Sequence, residues 1–136
     1  MTAPTDAAEG LLAAARSVAQ HAYAPYSNFH VGAALLTAEG SVFTGCNVEN
    51  ASYGLAICAE RNAVAAMVAA STGDRSVTRV AVVSPDAAPC FPCGACRQVL
   101  REFGCSEVIV EEEGKMRSYR FEDLLPHSFG PQDLDQ

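Results

Sequence analysis

Two short segments carry side chains whose types and spacing can do chemistry: Cys58-Ala59-Glu60, and further along the chain Pro92-Cys93-Gly94-Ala95-Cys96. Three thiols with one adjacent carboxylate suit an open zinc site. A structural zinc site closes its tetrahedron with four protein ligands, whereas a catalytic one uses three and keeps the fourth position for water or substrate. A lone Cys-x-x-Cys is a weak signal, but two halves in this order, with Glu60 two residues after the first cysteine, form a specific one.

The choice of cysteines follows from position. Cys90, Cys93 and Cys96 offer two overlapping Cys-x-x-Cys pairs. Cys93 lies between Pro92 and Gly94, so a tight turn presents its sulfur while Cys96 follows in the first turn of a helix; Cys90 lies on the loop before that turn and is read as a bystander. Cys46 falls on an expected strand and Cys105 just after a helix stop, where buried free cysteine is ordinary packing material. The pattern of Cys or His, a Glu two residues on, and Pro-Cys-x-x-Cys is the signature of the zinc deaminases of nucleobases, in which the Glu is the general acid and base and not a ligand.

These residues need elements to hold them. Leu11, Leu12, Ala15, Val18, Ala19 and Ala22 recur at helical spacing, and Asp6 with Glu9 reads as a capping box opening that helix, which ends before Pro25. Residues 31–36 and 41–47 predict two strands joined at Ala38-Glu39-Gly40, an antiparallel hairpin. Residues 57–70 predict a helix with Ala63, Val64, Met67 and Val68 as its apolar stripe, placing Cys58 and Glu60 in its first turn. Residues 78–84 contain the unbroken run Val80-Ala81-Val82-Val83 of a strand buried on both faces. A third helix is expected over 94–103, stopped by Gly104, then strands at 107–111 and 116–121 around Gly114. This order implies a three-layer α/β/α fold with a mixed sheet of about five strands.

The placement has an electrostatic consequence. Three thiolates against a divalent ion leave an excess negative charge, which weakens the metal's pull on bound water. Helix N-termini each supply about half a positive charge and lower thiol pKa values, and Arg61 is a second source of compensation.

Composition narrows the partners. The chain has 136 residues, a size for one domain spanning 1–136. No stretch approaches a membrane span, and the N-terminal residues lack the pattern of a secretory leader, so a cytoplasmic protein with six reduced cysteines is expected. The formal net charge is −7, with Lys115 the only lysine. No positive stripe for a nucleic acid, Gly-rich cradle or Arg cluster for a phosphate is present, which favours a neutral nucleoside.

The chain resembles the cytidine deaminases, and among them the short, one-domain, homotetrameric type. The resemblance runs through Tyr26-Ser27-Asn28-Phe29, Val31-Gly32-Ala33-Ala34 and Gly45-Cys46-Asn47-Val48-Glu49-Asn50-Ala51-Ser52-Tyr53. It continues through Cys58-Ala59-Glu60-Arg61, Pro92-Cys93-Gly94-Ala95-Cys96-Arg97-Gln98, Leu124-Leu125-Pro126 and Phe129-Gly130-Pro131. It implies hydrolytic deamination of cytidine and 2′-deoxycytidine in pyrimidine salvage, one Zn²⁺ per subunit on Cys58, Cys93 and Cys96, and Glu60 as proton shuttle. Asn47 and Glu49 resemble the pair that grips the ribose hydroxyls, Phe29 the residue packed against the pyrimidine, and Ala59 a further substrate contact. Ala51, Tyr53 and Phe129 resemble contacts to a neighbouring subunit's nucleoside in a homotetramer with shared sites. His30 and His127 match no ligand position and read as incidental. The rival readings are a deaminase of a related aminopyrimidine nucleoside such as blasticidin S, a non-catalytic zinc protein, and a cytidylate or tRNA deaminase. The last two families usually carry His at the first ligand position and need positive charge for phosphate.

Overall fold

The computed structural model describes residues 4–134, with residues 4–6 by backbone alone. Helix α1 spans Pro4–Ala19 and leads to the hairpin of β1 (Gly32–Thr37) and β2 (Val42–Cys46). Then follow α2 (Ala59–Ala70), β3 (Val77–Val83), α3 (Gly94–Glu102), β4 (Glu107–Glu112), β5 (Lys115–Arg120) and the single turn α4 (Phe121–Leu124). The strands form one mixed sheet in the order β2-β1-β3-β4-β5. Only β3 and β4 run parallel, joined through α3, as a parallel pair requires a crossover.

Strand alternation decides which helix covers which face. On one face Ala34, Ala81, Val83 and Ile109 meet Ala8, Leu11, Leu12 and Ala15 of α1. On the other, Ala33, Leu35, Val80, Val82, Val108 and Val110 meet Ala63, Val64 and Met67 of α2 and Leu100 of α3. Because the side-chain period of a strand is two, Val80 and Val82 point to α2 and α3 while Ala81 and Val83 point to α1. The expected three-layer α/β/α arrangement is therefore present.

Helices and sheet approach closest at two glycines. A Cβ on Gly32 would lie 2.0 Å from the Ala15 carbonyl oxygen, and one on Gly45 would lie 2.4 Å from the Ala63 nitrogen and 2.6 Å from the Ala59 oxygen. Gly45 thus lets the first turn of α2, which carries the candidate site, sit directly on β2. Gly45→Ala must push backbone against backbone, and overpacking of this kind costs about 1–3 kcal/mol or more. Thermal unfolding should show a melting temperature lower by several degrees; an unchanged melting temperature would mean that α2 does not depend on this contact.

The structure departs from sequence expectation at several places, and helix α1 ends at Ala19, short of Ala22. Helix α1 begins at Pro4, so Asp6 lies within the first turn instead of at the cap; proline suits that opening position because its missing N–H has no helical partner there. Helix α2 begins at Ala59 and not at residue 57, because Ile57 forms a bridge with Val48 and Cys58 is extended at φ −72°, ψ 155°. Phe121 opens α4 instead of ending β5. Its side chain is buried and its N–H donates to the Ser106 carbonyl in the register of the β4–β5 ladder, while its own carbonyl accepts from the Leu125 N–H at 3.1 Å, which closes the helical turn.

Candidate active site

Both helices that face the same side of the sheet begin beside each other, and each is entered through a cysteine. Cys58 is the N-cap of α2 and Cys93 the N-cap of α3, both extended, and neither sulfur is spent on a capping hydrogen bond. Cys96 sits in the first turn of α3. The crossing of β1 beside β3 brings the two helix starts together, and the three sulfurs lie within 4.8 Å of one another. Cys58 Sγ is 3.9 Å from Cys93 Sγ, and Cys93 Sγ is 3.6 Å from Cys96 Sγ. Tetrahedral ligands at a zinc–sulfur distance of about 2.3 Å stand about 3.8 Å apart, so the donor set and its spacing fit zinc. Cys90, Cys46 and Cys105 lie outside this group, and the Cys105 thiol is taken up by the Glu107 carbonyl at 3.5 Å.

Glu60 is the acid at this cluster. It occupies the first turn of α2 and is 4% exposed, one of few buried polar residues. Burial pushes its carboxyl above the ordinary range, against the opposing effects of its own backbone N–H, the Cys96 thiol and the Arg61 charge. Arg61 Nη2 donates to the Ala56 carbonyl at 3.4 Å and lies 4.0 Å from Cys58 Sγ, with its Nε buried and without a partner. Its charge is therefore held against the thiols, as the excess negative charge requires.

The thiols do not all follow the expectation that helix starts lower their pKa. Burial pushes Cys58 up, and burial together with the nearby Glu60 and Cys58 charges pushes Cys96 up. Cys93, at the exposed rim, is held below the ordinary thiol range: burial works against this, but hydrogen bonds from the Cys96 and Ala95 backbone and from the two neighbouring thiols outweigh it. Desolvation outweighs the helix dipole where the sulfur is buried.

A second part of the site is built on the chain between α1 and β1. Val48 bridges both Tyr23 and Ile57, which sets Asn47 and Glu49 alongside the entry to α2. Glu49 accepts from the Tyr26 and Ser27 backbone N–H groups at 3.0 and 3.2 Å and from the Ser27 hydroxyl, and the Ser27 bond foremost holds its carboxyl below the usual range. Asn47 Oδ1 accepts from the Val31 N–H at 2.8 Å, and its Nδ2 donates to the Phe29 carbonyl at 2.8 Å. A cavity of about 320 Å³ opens here, lined by Tyr26, Ser27, Glu49, Asn50, Tyr53 and Ala56. The Tyr26 and Tyr53 rings meet across it at 5.9 Å between centroids. A larger surface cavity, about 590 Å³, lies by Arg101, Phe121 and His127; neither cavity is lined by Glu60 or a cysteine of the cluster, and the smaller one meets the cluster's surroundings at Ala56, whose carbonyl accepts from Arg61.

The structure thus gathers Cys58, Cys93, Cys96, Glu60 and Arg61 in one place, with Asn47 linked to Phe29, and Glu49 with Tyr53 lining a separate cavity whose Ala56 is bonded to Arg61. Ala59 is fully buried beneath Glu60, and Ala51 is exposed. Phe129 lies elsewhere: its carbonyl accepts from Gln98 Nε2 on α3 at 2.8 Å, and its ring is 58% exposed. Sequence reasoning passed over the walls supplied by Tyr26, Ser27, Asn50 and Ala56. It also passed over Arg97, whose guanidinium holds the Pro92 carbonyl at 2.8 Å and the Leu124 carbonyl at 2.7 Å and so fixes the turn that presents Cys93. The Tyr-Ser pair beside Pro25 was the available signal for the cavity.

A mixed sheet with three convergent thiols and a buried glutamate at two adjoining helix starts defines the class of zinc-dependent deaminases. Residues 5–112 match the cytidine and deoxycytidylate deaminase zinc-binding region, and the chain belongs to that family. It is 48% identical to a cytidine deaminase of Mycobacterium tuberculosis over 88% of this chain and 87% of that one. With a cytidine deaminase of Sporosarcina psychrophila the identity is 43% over 93% of both chains. The crystal structure of cytidine deaminase from Burkholderia pseudomallei superimposes with a TM-score of 0.81 at 49% identity, covering 89% of this chain and 98% of that one.

Proposed function

We propose that this chain, as a single catalytic domain, hydrolytically deaminates cytidine and 2′-deoxycytidine to the corresponding uridines with release of ammonia. The observation that carries the reading is the buried Glu60 carboxyl beside three sulfurs spaced for one zinc ion. Cys58, Cys93 and Cys96 would hold the ion, which when bound supplies hydroxide near neutral pH by acidifying water. Glu60 takes the proton from the attacking water and delivers it to ring N3 as oxygen adds to C4. It then takes the remaining proton from the C4 hydroxyl and passes it to the amino group, so that the C4–N bond breaks, the C4 carbonyl forms and ammonia leaves; one carboxyl thus acts as base and acid in both transfers. A pKa raised by burial suits both duties, because a proton shuttle works best near the ambient pH.

Phe29 would pack against the pyrimidine and Asn47 and Glu49 would bind the ribose hydroxyls, whereas Ala59, fully buried, leaves the substrate no surface to meet. Asn47 and Glu49 each already brace the 26–31 segment, so ribose would share their remaining hydrogen-bonding capacity. Arg61 would offset the excess thiolate charge. No Lys or Arg lines the 320 Å³ cavity, and Glu49 does, which opposes a 5′-phosphate. Side-by-side assays with cytidine, 2′-deoxycytidine, blasticidin S and cytidine 5′-monophosphate test this specificity. The two nucleosides should turn over well and the others poorly; comparable turnover of the monophosphate would contradict it.

Self-association completes the reading, with a homotetramer in the cytoplasm, where free cysteines stay reduced. Tyr53, Leu55 and Phe129 are exposed by 76%, 64% and 58%, which supports apolar contacts with another subunit. Ala51, Tyr53 and Phe129 would then reach a neighbouring subunit's nucleoside. The Phe129 segment is held on α3 by Gln98, by Arg101 Nε donating to Ser128 Oγ at 2.9 Å, and by a Gly130 whose Cβ would strike the Arg101 guanidinium at 2.5 Å. Removing residues 129–136 is expected to weaken cytidine binding and loosen the tetramer, since a buried aromatic anchor contributes about 2 kcal/mol or more. A monomeric intact protein in light scattering, or full activity and assembly after truncation, would refute shared sites.

A further inference from the structure

The segment 28–31 has no regular secondary structure, yet its backbone is pinned at every step. The Phe29 N–H donates to Ser27 Oγ at 3.0 Å, the Phe29 carbonyl accepts from Asn47 Nδ2, and the Val31 N–H donates to Asn47 Oδ1. Between them the His30 N–H donates to Asp86 Oδ2 at 2.7 Å, and the same oxygen lies 2.9 Å from His30 Nδ1. Asn28, just before Phe29, has a φ of 58°, a conformation uncommon for a residue with a side chain. What all these bonds hold in place is a Phe29 ring left 38% exposed. Ser27 adjoins the segment, and Asn47 follows the next hairpin, 16 residues after Val31. Asp86 is more distant: it stands in the loop after β3 that runs on to Pro92 and Cys93, and its own N–H donates to Ser84 Oγ at 3.1 Å.

We propose that Asp86 and His30 form a strap that fixes the Phe29 ring relative to the Cys93 loop, which makes Asp86 a positioning residue for the substrate base. The inference rests on the reading above that Phe29 packs against the pyrimidine. One carboxylate oxygen engaging both the backbone and the ring of a single residue sets the direction of the chain at that residue, and therefore of its neighbour's side chain. A misplaced base plane weakens binding more than it slows proton transfer by Glu60, which α2 holds independently.

The test is steady-state kinetics on cytidine with zinc content measured for every variant. Asp86→Ala should raise KM about tenfold, the scale of one charge-assisted hydrogen bond at a half-exposed site, with kcat changed less than threefold and zinc retained. His30→Ala keeps the backbone bond and should raise KM about threefold; Asp86→Asn keeps an acceptor and should recover most of the affinity. These two milder variants carry the test if Asp86→Ala does not fold. In a Phe29→Ala background, Asp86→Ala should add less than a further twofold to KM, because residues acting through one group are not additive. Independent, multiplying effects would overturn the strap, as would an unchanged KM in Asp86→Ala while Phe29→Ala raises it. If Phe29→Ala itself leaves KM unchanged, the packing of Phe29 on the base is wrong and the strap falls with it.

Discussion

Glu60→Gln is expected to give a folded, zinc-loaded protein whose deamination rate is lower by roughly 10⁴ or more, since this carboxyl serves successive proton transfers that are each worth about 10²–10⁴. Glutamine has nearly the same shape and fits the buried first turn of α2, but its amide cannot take up and return a proton. The ligand thiols are untouched, so metal analysis should still find one zinc per chain. Retention of more than about a tenth of the activity would remove Glu60 from the proton path.

The second large effect concerns the metal. Serine at Cys58, Cys93 or Cys96 should strip zinc and abolish turnover, because a neutral hydroxyl replaces a thiolate in a three-ligand set. Serine at Cys46, Cys90 or Cys105 should leave zinc in place. Cys46, Cys90 and Cys105 stand outside the group of three sulfurs within 4.8 Å of one another, and the Cys105 thiol is already taken up by the Glu107 carbonyl. Zinc lost on changing Cys90, or kept on changing Cys93, would contradict the assignment. Zinc binding must also displace protons from Cys58 and Cys96, whose thiols burial raises. Affinity should therefore increase with pH and fall in acid, as titration against a competing chelator would report.

Much of this was legible in the sequence. Alternation and apolar runs located all five strands of the sheet, and the choice of Cys93 over Cys90 followed from Pro92 and Gly94 alone. What was not legible depends on partners distant in the chain. Ile57 reads as the start of a helix until its bridge to Val48 is seen, and Asp86 reads as a plain loop residue until its bonds to His30 are seen. The resemblance marks Asn47 and Glu49 as ribose contacts but does not reveal that both also hold the 26–31 backbone. His30 reads as incidental, yet it joins an aspartate 56 residues away. The thiol pKa values are set by burial at Cys58 and Cys96 and by hydrogen bonds at Cys93, neither of which spacing reveals.

The central claim is that three thiols and one carboxyl make this chain a zinc-dependent deaminase of cytidine. Its most direct test is incubation of the purified protein with cytidine while following the ultraviolet absorbance change as uridine forms, with ammonia measured alongside. The account predicts one ammonia per uridine, loss of the reaction after zinc is chelated, and its return when zinc is restored. A folded, zinc-loaded protein that leaves cytidine unchanged would contradict it.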